Sequence, residues 1–183
     1  MRKIILSVIL ITILVLSVFS IYFQSEATAL GAHVVALKLD TGDTAWMIVA
    51  SALVLIMTPG LVFFYGGMVG KKNVISTMLQ SFMAMVIVTV LWVLVGFGLC
   101  FGPSVGGIIG DPSSNFMFNG VNSTTAWELA PTIPFILFAF FQAKFAIITP
   151  ALITGAFAER VRFWAYLLFM VLFILVIYAP LCH

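Results

Sequence analysis

The chain of 183 residues is 63% hydrophobic and 8% charged, and its mean hydropathy is +1.26 with a formal net charge of +2. Soluble domains are about 45–50% apolar and about 25% charged, so this composition excludes both a soluble globular protein and a disordered one. No basic run is longer than two residues, which excludes a nucleic-acid-binding surface, and the two cysteines and two distant histidines exclude a metal site, so we expect no cofactor.

The first apolar stretch, Ile4–Phe23, follows the basic residues Arg2 and Lys3 and precedes a small-x-small triplet that ends at Ala29. This order is typical of a secretory signal peptide, so residues 1–29 are predicted to be one, with cleavage after Ala29. The apolar region is longer than usual, and an uncleaved anchor helix is the alternative. Residues 30–183 are predicted to form the membrane domain.

Four further apolar stretches are long enough to cross a membrane as helices, since about 20 residues at 1.5 Å each span the hydrocarbon core. They are Thr44–Gly70, Val74–Phe101, Thr132–Ala158 and Phe163–Leu181. Pro59 lies inside the first stretch and is predicted to kink the helix without ending it. The predicted fold class is an all-α, polytopic transmembrane helix bundle.

Basic residues near the helix ends predict the orientation of this bundle. Lys71 and Lys72 follow the first of the four stretches, and Arg160 and Arg162 follow the third. Because lysine and arginine are enriched in cytoplasmic loops, both turns are predicted to be cytoplasmic. The mature N-terminus and the loop 102–131 then lie outside a multi-pass plasma-membrane protein.

The third stretch carries aromatic and polar residues near its middle: Phe141, Gln142, Lys144 and Phe145. A lysine at such depth costs about 2.5–3.5 kcal/mol on insertion scales, so polar side chains there usually face a cavity or another helix. Aromatic rings beside a narrow path attract cations and can form a dry constriction. The alternative interpretation is an aromatic core in which Gln142 makes an interhelical hydrogen bond.

Two further groups lie at helix ends. Glu159, with Arg160 and Arg162, is predicted to bridge the turn between the third and fourth stretches, in a structural role. Cys100 and Cys182 both lie near outer helix ends, where an oxidising compartment permits a disulfide. Two inert buried thiols are the default interpretation for the cysteines, and the disulfide is the alternative.

In their order and spacing, several segments of this chain resemble the ammonium transporter family (Amt/Mep/Rh) over residues 43–183. They are residues 43–47, 57–68, 71–74, 141–146, 155–163 and 178–183. The resemblance implies an eleven-helix fold of two inverted repeats, of which this chain holds about four membrane spans. Residues 30–183 are then expected to be the N-terminal part of a truncated ammonium transporter domain.

The resemblance also implies a substrate pathway. Phe145 matches the inner of two stacked phenylalanines that occlude the pore, and Phe141 and Gln142 belong to the same motif. The implied mechanism recruits ammonium, deprotonates it and passes ammonia through a hydrophobic pore. Lys144 stands where the family usually has a neutral residue, and its position about 100° around the helix from Phe145 predicts that it points away from the pore.

The implied partners are ammonium or ammonia, the lipid bilayer, further copies of the complete protein in a homotrimer, and a PII-type regulatory protein. The alternative function is a non-transporting membrane interaction protein that associates with full-length transporter subunits. An enzyme is not expected, because the sequence offers no paired carboxylates and no Ser/His/Asp set at membrane depth.

Overall fold

The computed structural model describes residues 34–183, and the predicted signal peptide lies outside the described residues. Within them, four helices are long and apolar enough to cross a membrane. They are α1 (Thr41–Met68), α2 (Val74–Phe101), α3 (Phe135–Phe157) and α4 (Phe163–Cys182). Their bounds lie within three residues of the predicted stretches, so the predicted transmembrane helix bundle is confirmed.

The start of α1 is set by Asp40, whose side chain accepts a hydrogen bond from the backbone N–H of Asp43 at 2.9 Å. This bond satisfies one of the free N–H groups of the first turn, and the acidic Asp43 suits the positive end of the helix dipole. The helix continues through Pro59, and α3 likewise continues through Pro150. Proline therefore ends neither membrane helix, as predicted for Pro59.

Two of the four helices contain a π-helical segment. In α2 it covers Trp92–Gly96, and in α4 it covers Phe173–Tyr178. The rings of Trp92 and Tyr178 lie 6.4 Å apart, centroid to centroid, so the two segments pack against each other. A π turn closes its hydrogen bonds over five residues and widens the helix, which changes the direction of the side chains around it.

The segments outside the helices form two short antiparallel ladders. β1 (Val34–Ala36) pairs antiparallel with β4 (Thr125–Trp127), and β2 (Ser104–Val105) pairs with β3 (Ile109–Gly110). A 3₁₀ turn, Phe116–Phe118, lies between the two ladders in the long loop. The fold is therefore mostly helical, with two small antiparallel ladders that the all-α prediction did not include.

The helices pack around α2, which is the most buried of the four, whereas α1 is the least buried. α2 contacts all three other helices, and α1 also contacts α3. Trp92 lies at the centre of this packing, 1% exposed, and its indole N–H donates to the Ala139 carbonyl of α3 at 3.1 Å. This arrangement fixes the rotation of α3 relative to α2 and so positions the aromatic and polar residues of α3.

Candidate functional site

The predicted pathway residues of α3 separate into two groups. Phe141 and Phe145, one helical turn apart, meet edge to face with their ring centroids 5.1 Å apart. Phe145 is 38% exposed, whereas Ala143 and Ala146 beside it are buried against the other helices. Within the described residues, the ring pair therefore lies on an open face of the bundle.

Gln142 faces a cavity of about 420 Å³ at the loop end of the helices. The cavity is lined by residues of α2, α3, α4 and the long loop: Cys100, Phe101, Gly102, Trp127, Leu129, Phe138, Gln142, Cys182 and His183. Phe141 and Phe145 do not belong to this lining. The structure thus brings Phe141 to Phe145 and places Gln142 in a separate recess on the same helix.

Lys144 is half-buried, and its ammonium group lies 5.6 Å from the centroid of the Phe140 ring. Phe140 precedes it by one turn and contacts Phe118 of the loop, with 5.9 Å between centroids. Helical side chains lean toward the N-terminus, and here the lysine extends along the helix toward its loop end. Lys144 thus pairs with Phe140 while Phe145 pairs with Phe141, on neighbouring faces of α3.

At the other end of the helices, Glu159 joins the two short turns. One of its carboxylate oxygens accepts hydrogen bonds from the backbone N–H of Gly70, at 2.8 Å, and from the side-chain amide of Asn73, at 3.1 Å. Glu159 adopts a left-handed backbone conformation, with φ at 64°, which directs its side chain across to the α1–α2 turn. Its partners are thus in that turn, not in the α3–α4 turn as the sequence suggested.

We expect this contact to make the stability of the protein depend on pH. The two hydrogen bonds favour the ionised carboxylate and lower the pKa of Glu159 from its ordinary value. The contribution to stability is present above the ordinary glutamate pKa and is lost as the pH falls through the lowered pKa of Glu159. Melting of the purified chain in detergent micelles, followed by tryptophan fluorescence from neutral to acidic pH, measures it.

The control for this prediction is Glu159→Gln, which keeps an acceptor oxygen for both bonds but does not titrate in this range. We expect the melting temperature of the wild type to fall more steeply with acid than that of the variant. Equal slopes in the two proteins would show that Glu159 does not stabilise the turn through its charge.

Two residues near this turn were missed by the sequence analysis. The Tyr65 hydroxyl of α1 donates to the Leu152 carbonyl of α3 at 2.6 Å, and Asn73 binds Glu159. The Tyr65 ring packs so closely on Gly155 that a Cβ there would lie 2.6 Å from a ring carbon. A glycine in a membrane helix indicates close packing of a neighbouring helix, so Gly155 was the residue of α3 from which this contact could have been predicted.

The comparisons with known proteins agree with this architecture. The sequence model of the Ammonium Transporter Family matches residues 45–183. The ammonium transporter of Mycobacterium tuberculosis is 49% identical over 157 residues, covering 79% of this chain and 33% of the relative. That of Aquifex aeolicus is 41% identical over 175 residues, covering 93% of this chain and 38% of the relative. These relatives are named as transporters and not as enzymes.

Solved structures give the same result. Candida albicans Mep2 superposes with a TM-score of 0.70 at 32% identity, covering 79% of this chain and 31% of that protein. A protein described as a sensor Amt protein gives a TM-score of 0.67 at 31% identity, covering 76% of this chain and 32% of its own. The chain spans about a third of the length of the curated relatives it matches. On both sequence and structure, it belongs to the ammonium transporter family and is a multi-pass membrane protein.

Proposed function

We propose that the complete protein moves ammonium or ammonia across the plasma membrane, and that Phe141, Gln142 and Phe145 border its path. The observation that carries this proposal is the ring pair Phe141–Phe145, which lies on an open face of α3 in a chain of this family. The relatives named above are ammonium transporters, which supports ammonium as the substrate and does not favour the alternative of a non-transporting interaction protein.

The chemistry of these side chains suits a small cation that must lose its proton. The π-faces of Phe141 and Phe145 attract ammonium, with about 0.5–2 kcal/mol for each favourable cation–π contact. A constriction made of apolar rings excludes water and so opposes passage of a hydrated cation. An ammonium ion that gives one proton to a water molecule at the entrance becomes neutral ammonia, which crosses an apolar pore without the desolvation cost of a charge, while the proton takes a separate route.

Gln142 contributes a polar group in a separate recess on the same helix. Its amide oxygen can accept a hydrogen bond from an ammonium N–H within the cavity of about 420 Å³. Lys144 does not oppose the cation in this arrangement, because its ammonium group lies over Phe140, on a different face from the ring of Phe145. Along α3, the proposed path thus passes the acceptor in this recess and the two rings on a neighbouring face, and the charge of Lys144 lies apart from those rings.

Orientation and assembly belong to the same proposal. The turn that holds Lys71 and Lys72 is hydrogen-bonded to Glu159, so these lysines, Arg160 and Arg162 share one end of the bundle. By the positive-inside rule this end is cytoplasmic, and the mature N-terminus is outside. The complete protein is proposed to be a homotrimer and to bind a PII-type regulatory protein at its cytoplasmic side.

The test is ammonium uptake in cells that lack their own ammonium uptake. We would express the 183-residue chain and a chimera in which residues 45–183 replace the matching part of the Mycobacterium tuberculosis relative. The chimera is expected to restore growth on low ammonium. Failure of a chimera that reaches the membrane in normal amounts would contradict the proposed transport function of these residues.

Phe145→Ala in this chimera is expected to weaken the apparent affinity for ammonium by about 5–30-fold, which corresponds to about 1–2 kcal/mol of lost cation–π contact. Its amount in the membrane should stay unchanged, because a ring that borders the path is not part of the packed core, whereas loss of a core ring would cost about 3–5 kcal/mol of packing and lower expression. Lys144→Met is the matched control on the same turn and should leave uptake intact. Loss of uptake in Lys144→Met with normal expression would place Lys144 in the path instead.

A further inference from the structure

Two thiols from distant parts of the chain meet at the loop end of the bundle. Cys100 is near the end of α2 and is 3% exposed, whereas Cys182 ends α4 and is half-buried. Both line the cavity of about 420 Å³ that also contains Gln142. The last turns of α2 and α4, which carry the two cysteines, pack against each other.

The surrounding structure holds this pair in place. The imidazole Nδ1 of His183 lies 3.1 Å from the backbone carbonyl oxygen of Cys100, so the residue next to Cys182 is tied to the backbone of Cys100. Further along the same two helices, the ring contact between Trp92 and Tyr178 packs α2 against α4. Two cysteines that face one cavity from packed helix ends are placed to be joined by a disulfide.

We propose that Cys100 and Cys182 are a redox-active pair that forms a disulfide between the ends of α2 and α4. The pair differs from a structural zinc or other metal site, because no group of three or more metal-ligating side chains occurs among residues 34–183. It also differs from two inert thiols, because Cys182 opens onto the cavity and can be reached by a small disulfide.

The oxidation is a thiol–disulfide exchange with a low-molecular-weight disulfide such as oxidised glutathione. The more exposed Cys182 loses its proton and attacks one sulfur of the small disulfide, which releases one small thiol and leaves a mixed disulfide on Cys182. Cys100 then loses its proton and attacks the Cys182 sulfur, which releases the second small thiol. Two protein thiols are oxidised, one small disulfide is reduced, and the two protons pass to the released thiols.

The disulfide would join residues 82 positions apart in the sequence and fix the two helix ends beside Gln142. It would therefore set the width of this cavity. The consequence for transport rests on the proposed function, whereas the disulfide itself does not. The following experiment measures only the disulfide, so its failure is distinct from failure of the transport proposal.

The experiment uses the full 183-residue chain in detergent micelles, first reduced and then dialysed against oxidised glutathione. After denaturation, a maleimide attached to polyethylene glycol adds one gel shift for each free thiol. We expect two shifts for the reduced protein and none for the oxidised monomer, together with an intact mass lower by two hydrogens. Two free thiols after oxidation, or two attached glutathiones, would overturn the proposal.

A matched control moves one thiol by a single position on α4. In the double variant Cys182→Ser with Leu181→Cys, the new thiol starts from a residue that is 82% exposed and points to another face of the helix. We expect no internal disulfide in this protein, so that Cys100 stays free after the same dialysis. Equal loss of both thiols in the control would show that oxidation does not depend on the position of Cys182 beside Cys100, and would overturn the proposal.

Discussion

Replacing Trp92 with alanine is expected to lower the free energy of unfolding by about 3–5 kcal/mol. The side chain is 1% exposed and lies where α2, α3 and α4 meet. Its removal leaves a cavity among apolar residues, breaks the indole hydrogen bond to Ala139 and removes the ring contact with Tyr178. Equilibrium unfolding of the purified chain in mixed micelles measures the change.

Trp46→Ala is the matched control for this prediction, since it makes the same substitution at a side chain that is 71% exposed. We expect it to change the unfolding free energy by less than about 0.5 kcal/mol. If both tryptophan variants lost equal stability, the buried position of Trp92 would not explain its effect.

Gly110→Val is the second substitution with a large expected effect. Strand β3 brings Gly110 against the end of α2, where a Cβ would overlap the Gly98 carbonyl oxygen and lie 2.9 Å from the Gly102 amide nitrogen. These neighbours are backbone atoms and cannot rotate away, so we expect a cost near the upper end of the range of about 1–3 kcal/mol for overpacking. The loop should detach from α2, which limited proteolysis can detect.

The control lies in the same hairpin. Gly107 has a positive φ of 75°, and no atom lies within 4 Å of a Cβ built there. Asparagine tolerates this conformation better than other side chains, so Gly107→Asn should be resistant to protease like the wild type. Cleavage of both variants at the same rate would point to the hairpin conformation and not to the close approach of Gly110.

The transmembrane helices were predictable because their signal is local. Twenty or more apolar residues between charges define each crossing, and this rule gave α2 its bounds, Val74–Phe101, directly. The same rule predicted that α1 begins at Thr44, three residues late, because it took the charged Asp43 as the boundary of the apolar stretch. An acidic residue is favourable in the first turn of a helix, and Asp40 caps it.

The ladders and the turn contact were not predictable in the same way. β1 and β4 are three-residue strands about 90 positions apart, too short for a recognisable alternation of polar and apolar residues. Glu159 and Asn73 are 86 positions apart, and their hydrogen bond depends on the left-handed backbone conformation of Glu159, for which the sequence contains no signal. Such contacts arise only when the helices have packed.

The candidate site was predictable in part. The spacing of Phe141 and Phe145 places both rings on one helical face, as the structure has them. The separation of Gln142 from this pair was not predictable, because the cavity that Gln142 faces is lined by three helices and the loop and forms only in the packed structure. The contact of Lys144 with Phe140 could be inferred from their four-residue spacing, but its direction needed the packed structure.

The pairing of β1 with β4 imposes an order on biosynthesis. Residues 34–36 are translated about 90 residues before 125–127, a delay of roughly 4–18 s at about 5–20 residues per second. Until β4 exists, the backbone N–H and C=O groups of β1 must bond to water or to other partners. The ladder can close only after α1 and α2 have both been made and have returned the chain to its starting side of the membrane. The β1–β4 ladder therefore forms only in chains in which α1 and α2 have both crossed the membrane.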